Sequence, residues 1–365
     1  MRQLEFGWFL PTAGDTTAYA DRDATVPPSM AMFDRVVAAA EKAGFEYMLV
    51  PVSWTCWDAY ISSAMVLARS RTIRMLVAAR PGYMSPVLLA RMIAAMDQLS
   101  DGRVAVNLIA GQSEAEAVQD GILLPKEERY ALMEEEVSIL KALWTERGAV
   151  TFEGRHHQIN GARISPKPLQ RPHPRFYLGG GSPEAWELSA RHADVHLFWG
   201  DTTETIAANM RDIRERAARY GREHDIGFGM RLQIVCRETE EEAWEAAHTL
   251  VAGVSDSQTT FIRQHYGGSA ANRRVQELAL THGELIAPHL WTGITKVRPG
   301  AGIAVVGNPQ QCADTLQQFI DLGCHSFCLS GYLHDEEAER FARWVRPLLA
   351  ERNGARMPTP ALPLV

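Results

Sequence analysis

The chain has 365 residues, 46% hydrophobic and 22% charged, with a formal net charge of −7, the composition of a globular enzyme with ample core. The acidic balance and the lack of any Lys/Arg-rich run exclude a nucleic-acid or anionic-lipid binder, so an anionic substrate has to be met by individual arginines. No apolar stretch approaches the roughly 20 residues that cross a bilayer, Glu5 makes the N-terminus a poor signal peptide, and the scattered Cys56, Cys236, Cys312, Cys324 and Cys328 read as free thiols of a reducing cytoplasm.

Residues 6–10 form a short apolar run closed by Pro11, the pattern of a buried parallel strand. Phe33, Val36, Val37 and Ala40 then recur at helical spacing, with Gly44 at the C-terminal cap position. Residues 45–50 predict a second strand, 58–69 a helix and 73–79 a third strand. Pro86 opens a helix whose apolar face is expected to carry Leu88, Met92, Ala95, Met96 and Leu99. After the strand 104–109, residues 130–144 form a helix with Met133, Val137, Leu140 and Trp144 in line, and Glu134-Glu135-Glu136 read as its solvated face. A β-rich excursion at 150–165, with a hairpin turn at 152–155, precedes strands at 175–178, 194–199, 228–235 and 326–330.

Eight strand–helix repeats predict an α/β fold, a (β/α)8 TIM barrel forming one domain over 1–365. No G-x-G-x-x-G follows the first strand, which counts against a Rossmann sheet. The segment from about 251 to 302 breaks the repeat. It is polar, contains Gly267-Gly268-Ser269, carries Arg263, Arg273, Arg274 and Arg298, and follows a late strand. It reads as a mobile lid insertion over the barrel mouth.

Barrel chemistry sits at C-terminal strand ends. There the sequence offers Ala13 and Asp15, Cys56, Ala79 and Arg80, Asn107 and Gln112, Trp199, Arg231 and Gln233, and Tyr332 and His334. Gly179-Gly180-Gly181-Ser182-Pro183 is the strongest local signal. Glycines let a backbone approach a ligand, Ser182 can cap the next helix, and Pro183 suits its first turn, so free N–H groups would face a phosphate. His156-His157 lacks partners for a metal, so no metal site is expected. No nucleophile elbow or paired-acid arrangement appears.

With these residues in view, the chain resembles the luciferase-like flavin monooxygenases, and among them the alkanesulfonate monooxygenases. The resemblance is carried by residues 8–15 (Trp-Phe-Leu-Pro-Thr-Ala-Gly-Asp), Ala79-Arg80-Pro81, residues 97–103, Glu128-Arg129-Tyr130, Gly229-Met230-Arg231-Leu232, Leu290-Trp291-Thr292-Gly293, residues 297–302 and residues 329–334. It implies FMN at the barrel mouth, used as FMNH2 supplied by a separate NAD(P)H-dependent flavin reductase, with O2 as co-substrate. The implied reaction splits an organosulfonate into an aldehyde and sulfite, in a cytoplasmic homodimer or homotetramer. Asn107, Ala79, Tyr130, Gly180, Gly181 and Ser182 would bind the flavin. Cys56, Arg231, Arg298, Tyr332 and His334 would serve catalysis, and Trp54, Trp199, Gln233 and the two arginines the substrate.

Two positions depart from the family pattern: Ala13 and Gln233 stand where it has histidines. An amide cannot relay a proton near neutral pH, so Tyr332 or His334 would take over that task. The space at Ala13 and the indoles of Trp54 and Trp57 favour a bulky, hydroxylated sulfonate such as a sulfosugar. A deazaflavin-dependent oxidoreductase of the same superfamily and a catalytically silent flavin- or sulfonate-binding protein are the competing readings.

Overall fold

The computed structural model describes residues 2–111 and 113–358. Eight parallel strands close on themselves: β1 Glu5–Phe9, β2 Tyr47–Val50, β3 Arg74–Ala79, β4 Val104–Leu108, β5 Phe176–Gly179, β6 Val195–Trp199, β7 Gly227–Cys236 and β8 Ser326–Ser330. Each pairs with the next, β8 pairs with both β1 and β7, and helices lie outside, so the fold is the (β/α)8 barrel. These strands are apolar on both faces because each face is covered: the lumen on one side, helices on the other. Phe9, Leu49, Leu76, Ala105, Leu197 and Cys328 pack inside, while Phe6, Trp8, Met48, Val77, Val106 and Leu329 belong to the layer beneath the helices.

Some predicted faces are corrected. The helix Pro86–Leu99 buries Leu89, Ala90, Ile93 and Ala94, whereas Leu88 and Leu99 are 48% and 88% exposed. The small Ala90 and Ala94 let the helix approach the barrel closely, and that requirement outweighs the larger side chains one position away. The acidic triplet is not a solvated face either. Glu135 accepts the N–H groups of Arg155, His156 and His157 and thereby ties down the hairpin Val150–Glu153/Gln158–Ala162. Glu136 is buried and accepts from Gly82 N–H at 2.9 Å, and Glu134 pairs with Arg191.

The predicted lid is not a structureless connection. It holds helices Asp256–His265 and Ala270–His282, started by Ser255 and Ser269, each accepting a first-turn N–H. Ser255 and Gln258 form a reciprocal capping box, a signal readable as Ser-x-x-Gln. A strand that the sequence reading passed over, Ala304–Gly307, pairs with the far end of β7. Because β7 runs 10 residues and β6 only 5, its upper half would otherwise present an open edge.

Candidate active site at the barrel mouth

Side chains alternate along a strand, so lumen-facing positions can be counted upward from the inner core. From Leu197 the count turns Trp199 inward, and from Ala105 it turns Asn107 inward. Arg231 stands beside Trp199 in register. The same count gives the direction of the Ala79 side chain. Leu76 faces the lumen, so Ala78 does as well, and Ala79 packs in the outer layer under the helices.

Two guanidinium groups converge on one ring at the mouth. Arg231 lies 4.8 Å from the Phe9 centroid and Arg298 5.5 Å from the same centroid. Arg231 is 6% exposed; its Nη1 donates to Leu232 O at 2.8 Å and lies 3.5 Å from Cys328 O. Arg298 Nη1 donates to the Tyr332 hydroxyl at 2.7 Å. Among the described residues, neither arginine pairs with a carboxylate, although other buried arginines do: Arg80 with Glu116 at 2.9 Å and Arg129 with Glu114 at 2.7 Å. Burial holds the Arg231 pKa below its ordinary value against the pull of Cys328, and the charge of Arg298 acts in the same direction as burial. For Arg298 burial is outweighed by the Tyr332 and Tyr19 hydroxyls, which raise its pKa. Arg231 is buried and Arg298 half-buried, and positive charges withdrawn from water without a carboxylate are costly unless an anion completes them.

Tyr19 was missed by the sequence reading. Its hydroxyl lies 2.8 Å from that of Tyr332, and burial followed by the Tyr332 neighbour pushes its pKa well up. No local pattern marks it, since it sits in an irregular loop after β1. His334 begins the helix His334–Arg340 and is almost wholly buried. Its Nδ1 is 2.9 Å from Asp15 Oδ1 and its backbone N–H donates to Asp15 Oδ2 at 2.7 Å, while its ring meets Tyr332 edge-on at 5.2 Å. Burial favours protonation of Asp15, but the charge and hydrogen bonds of His334 outweigh it and lower its pKa. Cys56 sits on the loop after β2, with Ser53 Oγ 3.2 Å from its sulfur, and is among the groups acting on Arg298.

Other predicted positions are placed differently. Gln233 is fully buried; its amide donates to Ala301 O at 3.1 Å and accepts from Ser330 Oγ, so it ties β7 to β8 and to the lid's return rather than facing open space. Trp54 is 67% exposed, its backbone N–H bound to Glu116 and its side chain hydrogen-bonded to Tyr266 of the 251–302 insertion. Trp57 meets Phe33 edge-on. Gln112 lies outside the described residues.

The Gly179–Ser182 turn starts its helix as its composition predicts. Ser182 caps the helix Pro183–His192 by accepting from Ala185 N–H, with Pro183 in the first turn. A Cβ on Gly180 would lie 2.8 Å from the Ala185 Cβ, and φ there is +152°, so the chain requires glycine. The N–H groups of Gly180, Gly181 and Ser182 have no partner among the described residues. The Tyr130 hydroxyl meets that of Ser182; burial raises its pKa and this hydrogen bond partly reverses the shift. Asn107 is 7% exposed and its amide makes no hydrogen bond among the described residues. Free amides at a helix start at one side and an unpartnered amide at the mouth fit a phosphate-bearing ligand spanning the barrel top.

Solved structures share this architecture. A riboflavin lyase, RcaE, solved with modified FMN and riboflavin, superposes with a TM-score of 0.83 at 19% identity, over 99% of this chain and 95% of that one. The EDTA monooxygenase EmoA from Chelativorans sp. BNC1 gives 0.78 at 17% identity, over 98% and 96%. An F420-dependent secondary alcohol dehydrogenase gives 0.69 at 17% identity, over 96% and 99%. At these identities the likeness is one of fold. The family model for luciferase-like monooxygenases matches residues 4–326, and the chain therefore belongs to that family.

Proposed function

We propose that the protein is an FMNH2-dependent monooxygenase that uses O2 to convert an organosulfonate, R–CH2–SO3−, into an aldehyde, hydrogen sulfite, water and FMN, the reduced flavin coming from an NAD(P)H-dependent reductase. The observation that carries this reading is the buried Arg231 and the half-buried Arg298, set around Phe9 without a carboxylate partner among the described residues. A guanidinium holds a three-oxygen anion through fixed donor geometry, and two of them also stabilise the second charge that develops on departing sulfite. The free amides of Gly180, Gly181 and Ser182, with Tyr130, would hold the flavin phosphate, and Asn107 would meet the ring system. Bound in reduced form, the flavin supplies the electrons that activate O2.

The chain's own groups supply orientation and proton handling. Tyr332, held between Arg298 and Tyr19, has a hydroxyl fixed in direction at the edge of the arginine pair. His334, tied to Asp15, borders Tyr332 and Phe9 and can hold a proton where the family histidines are missing. The lid, through Val297 and Arg298, completes the anion site and excludes water from it.

Sulfite release tests the proposal, using FMN, a generic flavin reductase, NADH and air with a panel of plain alkanesulfonates and sulfosugars. The panel spans both because the supports for a hydroxylated substrate diverge: Ala13 is exposed and leaves room, whereas Trp54 is 67% exposed and engaged with Tyr266. Reductase-dependent release from either class establishes the reaction. No release from any member, with reduced flavin shown to bind, refutes it.

A further inference from the structure

A peptide plane has two ends. In a trans peptide the carbonyl of one residue and the N–H of the next point in opposite directions, so whatever holds the carbonyl also aims the N–H. The Gly180–Gly181 peptide is trans, and its carbonyl is held: Trp186 Nε1–H donates to Gly180 O at 3.1 Å. The His196 ring borders the same carbonyl from β6. That ring is fully buried, anchored at 2.7 Å between Nδ1 and Ser189 Oγ, and burial drives its pKa down to about 3, so at neutral pH it is an uncharged imidazole.

The Gly180 carbonyl is therefore directed into the protein, and Gly181 N–H is directed the other way, out of the turn. Without this restraint two successive glycines would leave the plane free to turn over. A flipped plane would present a carbonyl oxygen to an anion in place of a donor. The site reading above gives this N–H to the flavin phosphate, and the present inference rests on that reading.

We propose that Trp186 is a positioning residue for the flavin phosphate: its indole N–H fixes the Gly180–Gly181 peptide so that Gly181 donates into the cradle. Trp186 is half-buried in the second turn of the helix Pro183–His192, with the Arg216 guanidinium 5.9 Å from its ring centroid. It touches no reacting atom, and its effect passes entirely through the backbone. Among the described residues His196 Nε2 has no hydrogen-bond partner, so the bond to this carbonyl is made by Trp186.

The test is a comparison of FMN and riboflavin dissociation constants, measured anaerobically for the reduced flavins, in wild type and Trp186→Phe. Phenylalanine keeps an aromatic ring against Arg216 and removes the N–H. Losing one well-aimed hydrogen bond to a charged phosphate predicts about tenfold weaker FMN binding, with riboflavin binding and thermal midpoint unchanged. Should Phe disturb the fold, benzothienylalanine at position 186 keeps the indole shape and lacks only the N–H, and the same selective loss is expected. Equal weakening of both flavins, or no change in either, overturns the positioning role. A wild type that binds FMN no better than riboflavin overturns the phosphate site itself, and that failure is visible before any variant is made.

Discussion

Arg231→Met separates a functional charge from a structural one. The two centroid distances to Phe9 cap the separation of the Arg231 and Arg298 guanidinium carbons at about 10 Å. At an effective dielectric of about 20, two like charges that close repel by at least about 1.6 kcal/mol. Arg231 is also almost fully buried with no carboxylate to repay its desolvation. Against this stand the bond to Leu232 O, the weaker approach to Cys328 O and the cation–π contact with Phe9, together about 1–3 kcal/mol. Methionine keeps much of the volume and removes the charge, so the ligand-free variant is expected to be as stable as wild type or up to about 2 kcal/mol more stable. Differential scanning fluorimetry reads this as a midpoint unchanged or raised by a few degrees. Titration with sulfate or methanesulfonate, at constant ionic strength against chloride, should raise the wild-type midpoint by mass action and leave the variant flat. A midpoint that falls by five degrees or more without ligand would show Arg231 to be a structural charge, and the anion-site argument would fail with it.

Arg80→Met supplies the opposite sign: it leaves Glu116 buried and unpaired, so a loss of about 3–5 kcal/mol in chemical denaturation is expected, and a stability gain would refute the distinction between paired and unpaired arginines. Asp15→Asn removes the carboxylate that accepts the His334 backbone N–H and faces its ring, and should cost about 1–3 kcal/mol. Because the Asp15 pKa is lowered in the folded state, its contribution is complete above about pH 4 and is lost as the pH falls through the folded-state value. The gap between wild type and variant should therefore narrow in urea melts below pH 4, and a gap independent of pH speaks against a stabilising Asp15 carboxylate. Tyr19→Phe removes the hydroxyl next to Tyr332, so kcat for sulfite release should fall about fivefold with KM little changed; a change confined to KM would make Tyr19 a packing residue.

The amino-acid order alone determined the barrel, because apolar runs covered on both faces alternate with helical stripes, and that alternation needs no knowledge of distant contacts. Gly179-Gly180-Gly181-Ser182-Pro183 was equally legible, since its glycines, its cap and its proline all act within one turn. The lid's helices were legible in principle from Ser255 and Gln258, but its polar composition masked them. Other features depend on which residues the closed barrel brings together. Tyr19 and Tyr332 are 313 positions apart and meet only because β1 and β8 are neighbours. Ala79 and Ala78 look alike in sequence, and only the strand's rotation sends one to the lumen and the other under the helices. Likewise Arg80 and Arg231 both end or line a strand, yet a carboxylate stands opposite the first and none opposite the second. A local pattern records what a residue is; only the folded chain decides what stands across from it, and for a buried charge that partner determines whether it serves structure or ligand.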